Sequence, residues 1–140
     1  MTRKYFEEHA VGPNHGAGIK KILLVDDSST SRMTARMLLS GHESYVLTSA
    51  CDGQEGVEKA IAELPNLILM DIEMPRMNGL EACRLLKQNE TTKNIPIVLL
   101  TMRGEDSFVR QAYANGCSDF LTKPVNEQKL AMVIKKYLGS

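Results

Sequence analysis

The chain has 140 residues, 43% of them hydrophobic, and its 17 basic and 17 acidic side chains cancel to a formal charge of zero. That length fits one domain with a substantial core, and the charge balance argues against nucleic acid or an anionic membrane surface as partner. No apolar run approaches the ~20 residues of a membrane span, and Glu7, Glu8 and His9 stand where a signal peptide needs an apolar core.

Three cysteines, Cys51, Cys83 and Cys117, lie far apart without a CxxC spacing. They suit reduced packing thiols in a cytoplasmic protein better than a disulfide framework or a zinc site. Residues 1–19 read as a flexible extension, punctuated by Gly12, Pro13, Asn14, Gly16 and Gly18 without an apolar period. His9 and His15 fall in that arm, where no partner is held in place to complete a metal site.

From Lys20 onward strands and helices alternate. Ile22–Val25 is a short apolar strand ending in Asp26-Asp27, and Ser28 or Ser29 can cap the helix after it. Met33, Met37 and Leu38 recur on that helix at helical spacing, and Gly41 closes it. Tyr45–Thr48 is a more polar strand, expected nearer an edge. Gly53–Leu64 follows as a helix with Val57, Ala60, Ile61 and Leu64 inward, stopped by Pro65. The third strand, Asn66 to Asp71, carries an apolar run from Leu67 to Met70 up to its terminal acid and reads as buried on both faces.

A helix from about Gly79 to Gln88 comes next, with Leu80, Cys83 and Leu85 or Leu86 inward and Lys87 outward. Pro96–Thr101 is a fourth buried strand. Glu105–Ala114 is a short helix offering Phe108, Val109 and Ala112 for burial, and Ser118–Thr122 is a fifth strand. Asn126 or Glu127 opens a last helix through Leu130, Val133, Ile134 and Tyr137. Five such units predict an α/β fold: a doubly wound, five-stranded parallel sheet with right-handed crossovers and helices on both faces. Its ligand site belongs at the carboxyl edge, where the strand order reverses.

To that edge the strands deliver Asp26 and Asp27, Asp71, Thr101, and Lys123 followed by Pro124. Three carboxylates in one pocket repel unless a cation stands among them. Sparse, solvent-open oxygen ligands suit Mg²⁺. A lysine and a hydroxyl opposite the metal complete a setting for a transferred phosphoryl group, and a carboxylate can itself be its acceptor.

This set, together with DxxMPxMxG around Asp71, resembles the receiver domain of bacterial two-component response regulators, over about Lys20 to Leu138. The resemblance implies a flavodoxin-like sheet of order 2-1-3-4-5 in a domain spanning 20–140. It implies that Asp71 takes a phosphoryl group from a sensor histidine kinase or a phosphotransfer protein, and that the chain promotes its own Mg²⁺-dependent phosphorylation and dephosphorylation. Asp27 would bind Mg²⁺ directly, Asp26 through water, with Asp71 and the backbone carbonyl of Glu73 completing the set and Mn²⁺ able to substitute. Lys123 and Thr101 would hold the phosphoryl oxygens, and Phe120 would follow the movement of Thr101. The Lys123–Pro124 bond would be cis, an arrangement largely confined to X–Pro bonds. The fourth helix, fifth strand and fifth helix would bind a downstream protein, with no nucleic acid or membrane involved.

Three features depart from the family pattern. Met102 stands where a small side chain is usual, and its bulk is expected to slow dephosphorylation or to select the partner. Phe120 replaces the common tyrosine and reports by packing alone. Arg103 and Glu73 flank the pocket mouth, where an ion pair between them would screen the phosphoryl group.

Taken singly, each residue has a plainer reading. Asp26 or Asp27 can be a helix-cap carboxylate, Lys123 a solvated lysine, Thr101 a turn former and Phe120 core. Met70, Met74 and Met77 read as packing. Of the rival functions, a flavin carrier needs a phosphate loop where Asp26-Asp27 would repel it. An aspartyl phosphatase would carry its nucleophile on the first strand. The serious alternative is a receiver fold that binds partners and is never phosphorylated.

Overall fold

The computed structural model describes residues 19–40, 44–102 and 104–139. The expected extension therefore lies outside the described residues, save for its last position, as do the helix-closing Gly41 and the proposed partner Arg103.

Among the described residues five strands, β1 (Lys20–Val25), β2 (Tyr45–Ala50), β3 (Leu67–Asp71), β4 (Ile97–Thr101) and β5 (Asp119–Thr122), alternate with five helices. The helices are α1 (Ser29–Leu39), α2 (Gly53–Glu63), α3 (Gly79–Gln88), α4 (Asp106–Ala114) and α5 (Glu127–Leu138). All neighbouring strands are parallel, in the order β2-β1-β3-β4-β5, as the sequence predicted. The reversal of strand order falls between β1 and β3, at the ends that carry Asp26 and Asp71.

The apolar runs of β1, β3 and β4 face both ways. Successive side chains in a strand point to opposite faces, so each run divides between two cores. Leu23, Val25, Ile68, Met70, Ile97 and Leu99 pack with Ala60, Ala82, Cys83, Leu86 and Ala112 of α2, α3 and α4. Ile22, Leu24, Leu67, Leu69, Val98 and Leu100 pack with Leu39 of α1 and with Leu130, Val133 and Ile134 of α5. β2 and β5 are edge strands and are only partly buried along most of their length.

Helix starts follow side-chain caps. Ser28, Asp52, Asn78 and Asn126 each accept from the backbone N–H three residues on, the bond that satisfies an otherwise unpaired donor of the first turn. Because Ser28 caps α1, neither Asp26 nor Asp27 is that helix's N-cap.

The inward faces of α3, α4 and α5 match the apolar spacing, with Cys83 and Leu86, Ala112, and Leu130, Val133 and Ile134 buried, whereas those of α1 and α2 differ. On α1, Met33 and Met37 are exposed, and the inward side chains are Ala35, Leu38 and Leu39. On α2, Ile61 and Leu64 are exposed and the buried positions are Gly53, Gly56 and Ala60. A Cβ on Gly56 would lie 2.8 Å from a methyl of Val25, so the helix rides against β1 at Gly56, with the expected Val57 packed on the same core and Ile61 and Leu64 turned aside. Lys87 is not outward: its ammonium donates to the carbonyls of Lys93 (3.1 Å) and Ile95 (2.7 Å).

Cys83 and Cys117 are buried, and burial pushes their thiols up to about 11 and about 12, which keeps them protonated and inert. Cys51 differs from the expected packing role, being exposed. Among the described residues no helix is long and apolar enough to cross a membrane.

Candidate functional site

Asp26 follows the last residue of β1 and is 1% exposed. Its Oδ1 accepts from the Ser28 N–H at 2.9 Å, and its backbone carbonyl accepts from Arg32 at 2.7 Å. These bonds fix its carboxylate toward the sheet edge, while Asp27 next to it is exposed. Asp71 ends β3 and is 3% exposed. One carboxylate oxygen from each of Asp26, Asp27 and Asp71 lies within 4.8 Å of the others.

Lys123, just after β5, answers this charge. Its ammonium is 3.1 Å from Asp71 Oδ1 and 3.5 Å from Asp26 Oδ2. The Lys123 N–H donates to the Thr101 carbonyl at 2.8 Å, which ties the loop to the end of β4, and the Lys123–Pro124 bond is cis. Burial disfavours the charged lysine, but Asp71 and Asp26 outweigh it and raise its pKa.

Asp71 is the strained member of the set. Burial pushes its pKa up to about 6; Lys123 pulls it down, while Asp26 and Glu73 push it further up. Its Oδ1 is buried, and among the described residues no donor is well aligned on it; the Lys123 ammonium lies 3.1 Å away. One ammonium does not neutralise three carboxylates. An unsatisfied buried oxygen in a cluster of hard acids fits a divalent cation of the Mg²⁺ type.

Thr101 ends β4 and is 1% exposed. Its hydroxyl donates to Glu73 Oε2 at 3.1 Å. Sequence reasoning assigned Glu73 a backbone carbonyl and a pair with Arg103, and missed this bond. It depends on how the turn after β3 folds back over β4, which no local signal encodes. Phe120 pairs in register with Leu99, two residues before Thr101, so it shares a sheet face with the threonine. It is half-buried and meets Tyr113 of α4 edge to face, centroids 6.2 Å apart.

Met102 is 69% exposed and lines a cavity of about 290 Å³ between α1 and the start of α5, which Asp26 and Lys123 also reach. Arg32 and the exposed Arg76–Asp52 ion pair were not singled out from the sequence. The latter tethers the loop after β3 to the start of α2, with Arg76 in the left-handed region at φ 66°.

Residues 22–135 match the model of the response regulator receiver domain. The protein PilH of Pseudomonas aeruginosa is 37% identical over 119 residues, covering 85% of this chain and 98% of PilH. The chemotaxis protein CheY4 of Vibrio cholerae superposes with a TM-score of 0.79 at 28% identity, covering 85% of this chain and 98% of that one. The receiver domain of the sensor histidine kinase PA1611 of Pseudomonas aeruginosa has a TM-score of 0.79 at 27% identity. It covers 87% of this chain and 99% of its own, and holds a magnesium ion in its active-site cleft.

Proposed function

The chain belongs to the response regulator receiver family, a family of phosphorylation-driven switches, and we propose that Asp71 is its phosphoacceptor. The observation that carries this reading is the pairing of Lys123 with Asp71 at 3.1 Å inside a cluster of three carboxylates. With its pKa near 6, Asp71 is largely a carboxylate at neutral pH and available as a nucleophile. Its oxygen attacks the phosphorus of a phosphohistidine on a kinase or phosphotransfer protein. A P–O bond forms, the P–N bond breaks, and the imidazole leaves.

Asp26, Asp27, Asp71 and the Glu73 carbonyl are the groups that would hold Mg²⁺, an ion present in the active-site cleft of the PA1611 receiver. The ion would offset charge on the phosphoryl oxygens. Lys123 neutralises the oxygens on its own side and Thr101 donates to another. When Thr101 turns toward the phosphoryl group it leaves space on the face it shares with Phe120, whose ring can follow. The repacked α4–β5–α5 surface is where a downstream protein would bind.

Incubation with acetyl phosphate and Mg²⁺ is expected to add the mass of one phosphoryl group, and Asp71→Asn to abolish that gain. A wild type that never gains it, yet still binds a partner at α4–β5–α5, would be a binding module instead. Met102→Ala is expected to shorten the phosphoryl lifetime several-fold, because a bulky side chain at the rim limits the approach of water. Phosphoryl decay followed by mass spectrometry checks this, and equal lifetimes would remove any role for Met102.

A further inference from the structure

The bond between Thr101 and Glu73 leads beyond the assignment of the phosphoacceptor, on which it nonetheless rests. We propose that Glu73 is a latch on the switch, holding Thr101 in its unphosphorylated position until a phosphoryl group on Asp71 displaces it. A threonine hydroxyl has one O–H to give and two lone pairs. It donates either to the Glu73 carboxylate or to a phosphoryl oxygen, never to both.

In the structure that single proton is committed. Thr101 Oγ1 lies 3.1 Å from Glu73 Oε2, and an ionised acceptor makes this one of the stronger classes of hydrogen bond. Thr101 is 1% exposed, so solvent does not readily replace the glutamate as its partner. Glu73 itself is exposed, and its carboxylate has open water to swing into when released.

Two consequences of phosphorylation push the same way. The added oxygens compete for the Thr101 proton, and their charge repels the Glu73 carboxylate, which already bears on Asp71. The competent position of Thr101 is reached only by giving up the Glu73 bond. A state that must be reached at a cost is populated less, and phosphorylation through it slows in proportion. Glu73 is in this sense a positioning residue that acts through Thr101 on the reacting group.

The test is a double-mutant cycle on the rate of phosphorylation by acetyl phosphate with Mg²⁺, using wild type, Glu73→Ala, Thr101→Val and the double variant. Glu73→Ala is expected to raise the rate about tenfold, the equivalent of one charge-assisted hydrogen bond. On the Thr101→Val background the same change is expected to have no effect beyond about twofold. Equal acceleration with and without the hydroxyl would mean that Glu73 acts by repulsion alone, and the latch would be wrong. So would an unchanged Thr101 methyl resonance in unphosphorylated Glu73→Ala, a readout that needs no phosphorylation. A phosphorylated wild type with no response to Glu73→Ala overturns the latch and leaves Asp71 as acceptor. A wild type that takes up no phosphoryl group overturns both.

Discussion

Asp71→Asn is expected to exceed the wild type in stability by about 2–3 kcal/mol at neutral pH without divalent metal, and to lose that advantage near pH 4. The folded protein raises the Asp71 pKa from 3.8 to about 6, chiefly by burial. Between those values the native state holds a proton that the unfolded chain has lost, so the contribution of this group to stability falls as pH rises. Above about 6 the full cost of keeping a buried carboxylate charged is present. The rise, already net of the favourable pairing with Lys123, converts to about 3 kcal/mol at ~1.4 kcal/mol per pH unit. Added Mg²⁺ reverses the order. It stabilises the wild type by binding only the folded state, and stabilises Asp71→Asn less because one of three carboxylates is gone. Urea unfolding from pH 4 to 7, in chelator and in Mg²⁺, checks both halves. A metal-free Asp71→Asn no more stable than wild type at neutral pH would show that Lys123 already balances the site.

Gly79→Ala is expected to cost about 3 kcal/mol or more, above the usual range for an added methyl in a packed interior. A Cβ at Gly79 would stand 2.3 Å from the Asp71 carbonyl oxygen, 2.9 Å from Ile72 Cα and 3.0 Å from the Asp71 carbonyl carbon. All three are backbone atoms, so no side-chain rotation relieves the contact. Either α3 withdraws from the end of β3 or Asp71 moves with its strand, and both disturb the distance to Lys123. Loss of stability and weakened Mg²⁺ binding are therefore expected together. Gly104→Ala is the control: its nearest neighbour would be a Thr122 methyl at 3.4 Å, and its effect should stay within about 0.5 kcal/mol. Thermal unfolding and Mg²⁺ titration of the two variants separate the outcomes. Equal behaviour would mean that the loop after β3 yields easily.

Much of the site was legible because parallel strands buried on both faces are short apolar runs, and their ends are marked by abrupt changes in chemistry. Asp26, Asp71, Thr101 and Lys123 each stand at such a boundary, and βαβ connectivity then carries all four to one edge. The resemblance to a receiver domain added the expected roles. For Glu73 the sequence offers a backbone carbonyl and a place near the pocket mouth but not its hold on Thr101, which spans 28 residues and needs β3 and β4 to be neighbours.

Amino-acid order by itself determined the alternation of elements, the strand ends and the chemical types gathered at the edge, because those depend on local periodicity and on one handed connection rule. Tertiary structure decided which side chains of α1 and α2 are buried, whereas the inward faces of α3, α4 and α5 follow the apolar spacing. Gly56 lets α2 rest directly on Val25 of β1, and Ile61 and Leu64 are turned to solvent, while Lys87 is drawn inward by two carbonyls from the loop before β4. It also set the charge balance at Asp71, since a pKa depends on how deeply three acids and one lysine are packed together, a property of distance in space that spacing along the chain does not record.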